Sequence, residues 1–150
     1  MSITAAEYLQ AIRATRINIE NKKRALNSLE YMIEPRAINY DPNQVQTSPR
    51  QDGLEVMAIK HLEKIDEIKA EINEEIAWLY RRVDEAIDMI SKVESKEQRT
   101  VLTLRYINNL RWSAILDERG CDDIRAQHRL HQRALKSFQK ILDSHSMTTL

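Results

Sequence analysis

Arg125, Arg129, Arg133 and Lys136 recur at spacings of four, four and three, with His128 and Gln132 interleaved among them. On a helix of 3.6 residues per turn this spacing gathers them into one basic stripe. Such a stripe is suited to anion recognition. An Arg near the start of a helix can make two hydrogen bonds to one guanine, while later Arg and Lys meet phosphates. Ile124, Leu130, Ala134, Leu135, Phe138 and Ile141 fall on the side expected to pack inward. Gln127 stands where an apolar core residue is expected.

The elements that must hold the stripe are readable just upstream. Asp122 or Asp123 supplies a cap for a helix over 123–142, because a carboxylate accepts from the exposed N–H groups of a first turn. Arg119-Gly120-Cys121 forms the preceding turn, where Gly permits the positive φ of a tight corner. Before it, Trp112, Ile115 and Leu116 give a short helix an apolar face, with Arg111 at its start as a further DNA-contact candidate. A helix over 96–107 presents Val101, Leu102, Leu104 and Ile107 to the core, and Asn108-Asn109 break it. This order of parts predicts a helix-turn-helix whose second helix enters a DNA major groove.

Charge agrees with that placement. Residues 96–150 hold ten Lys/Arg against six Asp/Glu, whereas residues 1–95 hold thirteen against seventeen. The expected partner of the C-terminal part is double-stranded DNA.

The remaining two thirds is built for length. Two glycines and three prolines in 150 residues favour long helices over the turns of a sheet protein. Thr4…Glu7, Asp52…Glu55 and Ser95…Gln98 each match a capping box. The first helix is predicted over 4–34, with Ala5, Ile12, Ile19, Leu26 and Ile33 seven apart and Tyr8, Leu9 and Leu29 on the same face; Pro35 is expected to stop it. The second, over 53–94, repeats Leu62, Ile76, Val83 and Ile90 at one heptad position and Ile65, Ile72, Leu79 and Ala86 at the other. Lys69 is the lone charge in that seam. Such a seam predicts an antiparallel hairpin with the first helix, a coiled coil with another protomer, or both. Leu62, Ile65, Ile72, Ile76, Leu79 and Val83 are the residues expected to carry oligomerisation. Trp78 and Tyr80 flank the seam as interface anchors or as residues buried against the first helix. Residues 35–52 read as a polar loop, either a plain surface connection or a partner contact anchored by Tyr40 and Val45.

Other chemistry finds little support. His128, His131, Cys121 and His145 include metal-ligand types, but the CxxC pair and the regular His spacing of a zinc site are missing. Those histidines are expected on the helix surface or against DNA. No GxxxxGK[ST] or GxGxxG loop occurs, Ser113 near Asp117 has no positioned base, and the carboxylates of the second helix read as a solvated face. An enzyme, a metal and a cofactor are therefore not expected. No run of about 18 apolar residues occurs, so the expectation is a soluble cytoplasmic protein with no membrane partner.

The string LRYINNLRWSAI…G…HRLHQRAL resembles the C-terminal domain of small phage transcription regulators of the late-gene activator type. Those domains are similar in turn to region 4 of sigma-70 factors. The resemblance rests on Arg105-Tyr106-Ile107, Trp112, Arg129-Leu130-His131 and Arg133-Ala134-Leu135, and the segment NYDPNQVQTSPRQD ahead of a long helix extends it to the N-terminal half. It departs at Arg111 and Leu116, where small residues are usual, and by one extra residue after Gly120. The resemblance implies a phage or prophage regulator acting near a promoter, with RNA polymerase as a further partner. A small phage packaging (terminase) subunit binding DNA as an oligomer, and a helical adaptor of RNA polymerase that meets an acidic protein instead of DNA, are the alternatives.

The expected whole is all-α: residues 1–94 as a long antiparallel helical hairpin or coiled coil for assembly, 95–143 as a sigma-70 region 4-like helix-turn-helix domain, and 144–150 as a flexible tail.

Overall fold

The computed structural model describes residues 2–38 and 50–148, and every regular element among them is helical. Helix α1 spans Ala5–Ile38, α2 Arg50–Ser91 and α3 Lys96–Leu102, which runs into a π-helical turn at Thr103–Ile107; α4 spans Trp112–Arg119 and α5 Ile124–Thr148. None of the described helices is long and apolar enough to cross a membrane.

One of the three expected starts is the full capping box the pattern implies, and a second is half of one. Glu7 N–H donates to Thr4 Oγ1 at 3.1 Å while Thr4 N–H donates to Glu7 Oε2 at 3.0 Å, a full reciprocal cap. Ser95 Oγ accepts from Gln98 N–H at 3.3 Å. The Gln98 side chain does not return to Ser95; its Oε1 accepts from the Ser137 hydroxyl at 2.7 Å instead. The third start is overturned: α2 begins at Arg50, so Asp52 and Gly53 lie inside the helix. Extending an existing helix adds one hydrogen bond per residue fixed, which outweighs a local cap signal. At the other end of the expected loop α1 continues through Pro35 to Ile38, so Pro35 does not stop it; proline fixes φ near the helical value and forgoes one i→i−4 bond. The loop therefore shrinks from 35–52, and Tyr40 and Val45 lie outside the described residues.

The chain divides into two compact units, Met1–Arg16 with Trp78–Leu150, and Ile17–Ala77. This differs from the expected partition at 94/95. The reason is the core of the first unit: Tyr8, Leu9 and Ile12 of α1 are buried with Met89 and Ile90 of α2, Val93 of the α2–α3 connection, Leu102 and Tyr106, and Ala134, Phe138 and Leu142 of α5. Tyr8 and Phe138 pack with ring centroids 5.8 Å apart. The Arg82 guanidinium covers the outer side of this contact, 4.4 Å from the Tyr8 ring centre and 5.0 Å from that of Trp78. Tyr80 is exposed.

The expected tail over 144–150 is helical as far as Thr148: α5 continues to that residue, with Leu142 buried and His145 reaching Glu85 at 3.3 Å.

In the second unit α1 and α2 run in opposite senses. Lys22 pairs with Glu71 and Glu75 at 3.3 and 2.5 Å, while Glu30, later on α1, meets Lys69, earlier on α2, at 3.6 Å. Ile19, Ile65, Ile68 and Ile72 are buried. The heptad reading needs correction here: Ile68 takes the inward place assigned to Lys69, which stays exposed beside Glu30. Of the six expected oligomerisation residues, Ile65 and Ile72 are buried within the chain and Ile76, Leu79 and Val83 are half-buried; Leu62 alone is exposed, at 52%. Packing within the chain covers most of the seam.

Candidate nucleic-acid interface

The geometry begins with the corner between α4 and α5. Gly120 sits in the left-handed region at φ 63°, and its N–H and that of Cys121 bond back to Asp117 and Leu116 carbonyls at 3.2 and 3.0 Å. This is a glycine-closed helix end, which terminates α4 and turns the chain. Asp123, rather than Asp122, then starts α5: its Oδ1 accepts from the N–H groups of Arg125 and Ala126 at 3.0 and 3.2 Å. The Cys121 thiol points to the Asp123 carbonyl at 3.8 Å.

α5 has two distinct faces. Leu130, Ala134, Phe138 and Leu142 are buried, and Leu135 and Ile141 pack partly against the same core. Arg125, His128, Arg129, Gln132, Arg133 and Lys136 are all exposed on the other side. The structure thus brings six of the seven DNA-contact candidates into one surface stripe. Among the described residues none of them forms an ion pair with a carboxylate. Arg111, the seventh, is also exposed. It occupies the N-cap of α4 in extended backbone without a side-chain cap bond. Its neighbour Trp112 packs on α5, with the indole edge-on to the His131 ring at 4.6 Å between centroids.

Two α5 positions, Ile124 and His131, differ from the sequence reading, while Gln127 lies on the inward side where the pattern put it. Ile124, expected inward, is 71% exposed. Gln127 is buried in an apolar residue's place; its Oε1 accepts from Arg119, whereas its Nε2 is buried without a partner. His131, expected at the surface or on DNA, is buried, and its Nε2 lies 2.7 Å from the Tyr106 hydroxyl. Burial, then the nearby Arg105 and His128 charges, push the His131 pKa down to about 4. His131 is thus a neutral core residue that anchors α5 against Tyr106 and Trp112. His128 alone of that pair faces outward.

Further cations reach the α3–α4 connection. The Arg105 guanidinium lies 4.5 Å from the Trp112 ring centre and donates to the Leu110 carbonyl at 3.1 Å. Arg13, from α1, donates through Nε to Asn109 Oδ1 at 2.7 Å. Asn109 has φ 59°, the one positive-φ residue other than glycine among those described. The sequence carries no periodic signal for this contact, because its partners lie on elements far apart along the chain. No cluster of three or more His, Cys, Asp or Glu placed to hold a metal is found among the described residues.

Known protein families, curated proteins and solved structures show no match to this chain. The geometry must therefore carry the functional reading.

Proposed function

We propose that this chain is a cytoplasmic DNA-binding transcription regulator of the phage late-gene activator type, and that α4, the Gly120 corner and α5 act as a sigma-70 region 4-like helix-turn-helix. The observation that carries the reading is the exposed stripe of Arg125, His128, Arg129, Gln132, Arg133 and Lys136 on α5, unpaired with carboxylates among the described residues and backed by a buried apolar face. In this reading α5 lies in the major groove. Arg125 and Arg129 face base edges from its first turns, where two parallel hydrogen bonds select guanine, and Arg133 and Lys136 neutralise phosphates. Arg111 meets the backbone from the start of α4.

The same reading makes the chain a homo-oligomer that engages RNA polymerase. Its support is the set of exposed apolar residues on the second unit, Leu54, Val56, Met57, Ile59 and Leu62 of α2 with Met32 of α1. Exposed apolar surface of this kind marks association sites in soluble proteins.

Selection of bound sites from random duplex DNA, followed by gel retardation across a salt series, tests the proposal. The expected result is a shared motif and an affinity that falls steeply with salt, because each neutralised phosphate releases counterions. Arg125→Ala and Arg129→Ala should weaken binding and relax the motif. A folded protein that retards no duplex at low salt would overturn the reading.

A further inference from the structure

We infer that Arg13, brought by α1 to the loop before α4, is a phosphate-contacting residue that extends the DNA interface beyond the helix-turn-helix. This rests on the DNA-binding reading above and adds to it a contact from the opposite end of the chain.

The placement is specific. Arg13 Nε is fixed on Asn109 Oδ1 at 2.7 Å, which uses one of the five N–H donors of a guanidinium. The bond also steadies a residue held at φ 59°, a conformation that L residues other than Asn, Asp and Gly seldom adopt. Next to it, Arg105 is held over the Trp112 ring, and Trp112 packs on His131 of α5. These contacts lead to the inward face of α5, and Asn109 itself stands two residues before exposed Arg111 at the start of α4, the stripe's companion in the proposed interface.

The local charge is one-sided. Among the described residues neither Arg13 nor Arg105 has a carboxylate within 4.0 Å. The ionisable groups that bear on Arg105 are Arg13 and Tyr106, and those that bear on Tyr106 are Arg105 and Arg13. Two guanidinium groups brought together without an anion repel each other. A duplex backbone supplies the missing charge at regular spacing, and Arg matches the paired oxygens of a phosphate. Arg13 would thus set how the reader domain is oriented along the duplex, and would carry no sequence information of its own.

The test uses the full-length protein and a duplex of random sequence, with affinity measured over a salt series. Arg13→Gln should weaken binding several-fold and lower the slope of log affinity against log salt by about 0.9, the loss of one phosphate contact. Asn109→Gly removes the acceptor while tolerating the backbone angle, and should leave the slope unchanged. Arg133→Gln serves as the control for the stripe. An unchanged slope for Arg13→Gln, with a reduced slope for Arg133→Gln, would overturn this inference and leave the DNA-binding reading intact. No binding by the wild-type protein would overturn both. A second measurement does not depend on the variant folding. Arginine-selective modification of the wild-type chain, read by mass spectrometry, should show Arg13 protected when duplex is present; equal modification of Arg13 with and without DNA, while Arg129 is protected, would also refute it.

Discussion

The Tyr106 hydroxyl and His131 Nε2 lie 2.7 Å apart in the core, joining the π-helical turn to the helix that carries the basic stripe. His131 is kept neutral there, its pKa lowered from 6.5 to about 4. A lowered histidine pKa means that the unfolded chain takes up a proton before the folded one does. Its contribution to stability is complete above pH 6.5 and is lost as pH falls through the window toward pH 4. The loss should be on the order of 3 kcal/mol. Urea unfolding at pH 7.5, 6.0 and 4.5 checks this, with His131→Phe as the reference. The wild type should lose more stability than the variant across that range. Parallel pH profiles for the two proteins would show that His131 is not the titrating group.

The N-terminal turns of α1 should be as important to the reader domain as its own helices. Leu9 is fully buried in the core that contains Phe138 and Leu102, whereas Gln10 beside it is exposed. Leu9→Ala should cost about 2–5 kcal/mol by loss of burial and creation of a cavity. Gln10→Ala should stay within about 0.5 kcal/mol. Chemical denaturation followed by circular dichroism distinguishes them, and equal stabilities would mean that α1 does not belong to that core.

How much of this could be read from residues alone depends on the distance over which each fact is set. The α5 stripe is legible because a helical period is a local property and every member of the stripe is polar. The Thr4 and Ser95 caps are legible for the same reason, and so is the corner at Gly120. The inward place of Gln127 is legible too, but its Arg119 partner and the burial of His131 are not, because Arg119, Tyr106 and Trp112 approach from other elements. The domain division is hidden for a similar reason: Tyr8 meets Phe138 from the other end of the chain. Along α2 the heptad is correct for Ile65 and Ile72 but takes i+3, Ile68, in place of i+4, Lys69; both spacings lie on one helix face, and burial selects the apolar residue.

Gly120 gives a test of the corner that separates strain from crowding. A Cβ built at this position meets nothing within 4 Å, yet φ is +63°. The penalty for a side chain is therefore confined to the backbone. Gly120→Ala should destabilise by about 1–2 kcal/mol, and Gly120→Asn by less, because Asn tolerates the left-handed region better. Denaturant midpoints for the two variants provide the comparison. A loss above about 4 kcal/mol for Ala, or a larger loss for Asn than for Ala, would mean that packing rather than φ demands glycine here.

Leu62 and Ile72 lie on the same helix and in the same expected seam, but they should respond to truncation in different ways. Ile72 is 6% exposed and helps fill the interior of the second unit, so Ile72→Ala should cost about 2–5 kcal/mol. That loss should be independent of protein concentration. Leu62 is 52% exposed, and its truncation removes little burial from the single chain. If Leu62 contributes to association between copies, Leu62→Ala should instead lower the sedimentation-derived association constant while leaving the dilute-limit stability within about 1 kcal/mol. The two effects are separable because one acts on folding and the other on mass action. A concentration-dependent loss for Ile72→Ala would place that residue between chains and contradict the burial seen here; an association constant unchanged by Leu62→Ala would remove Leu62 from the assembly surface.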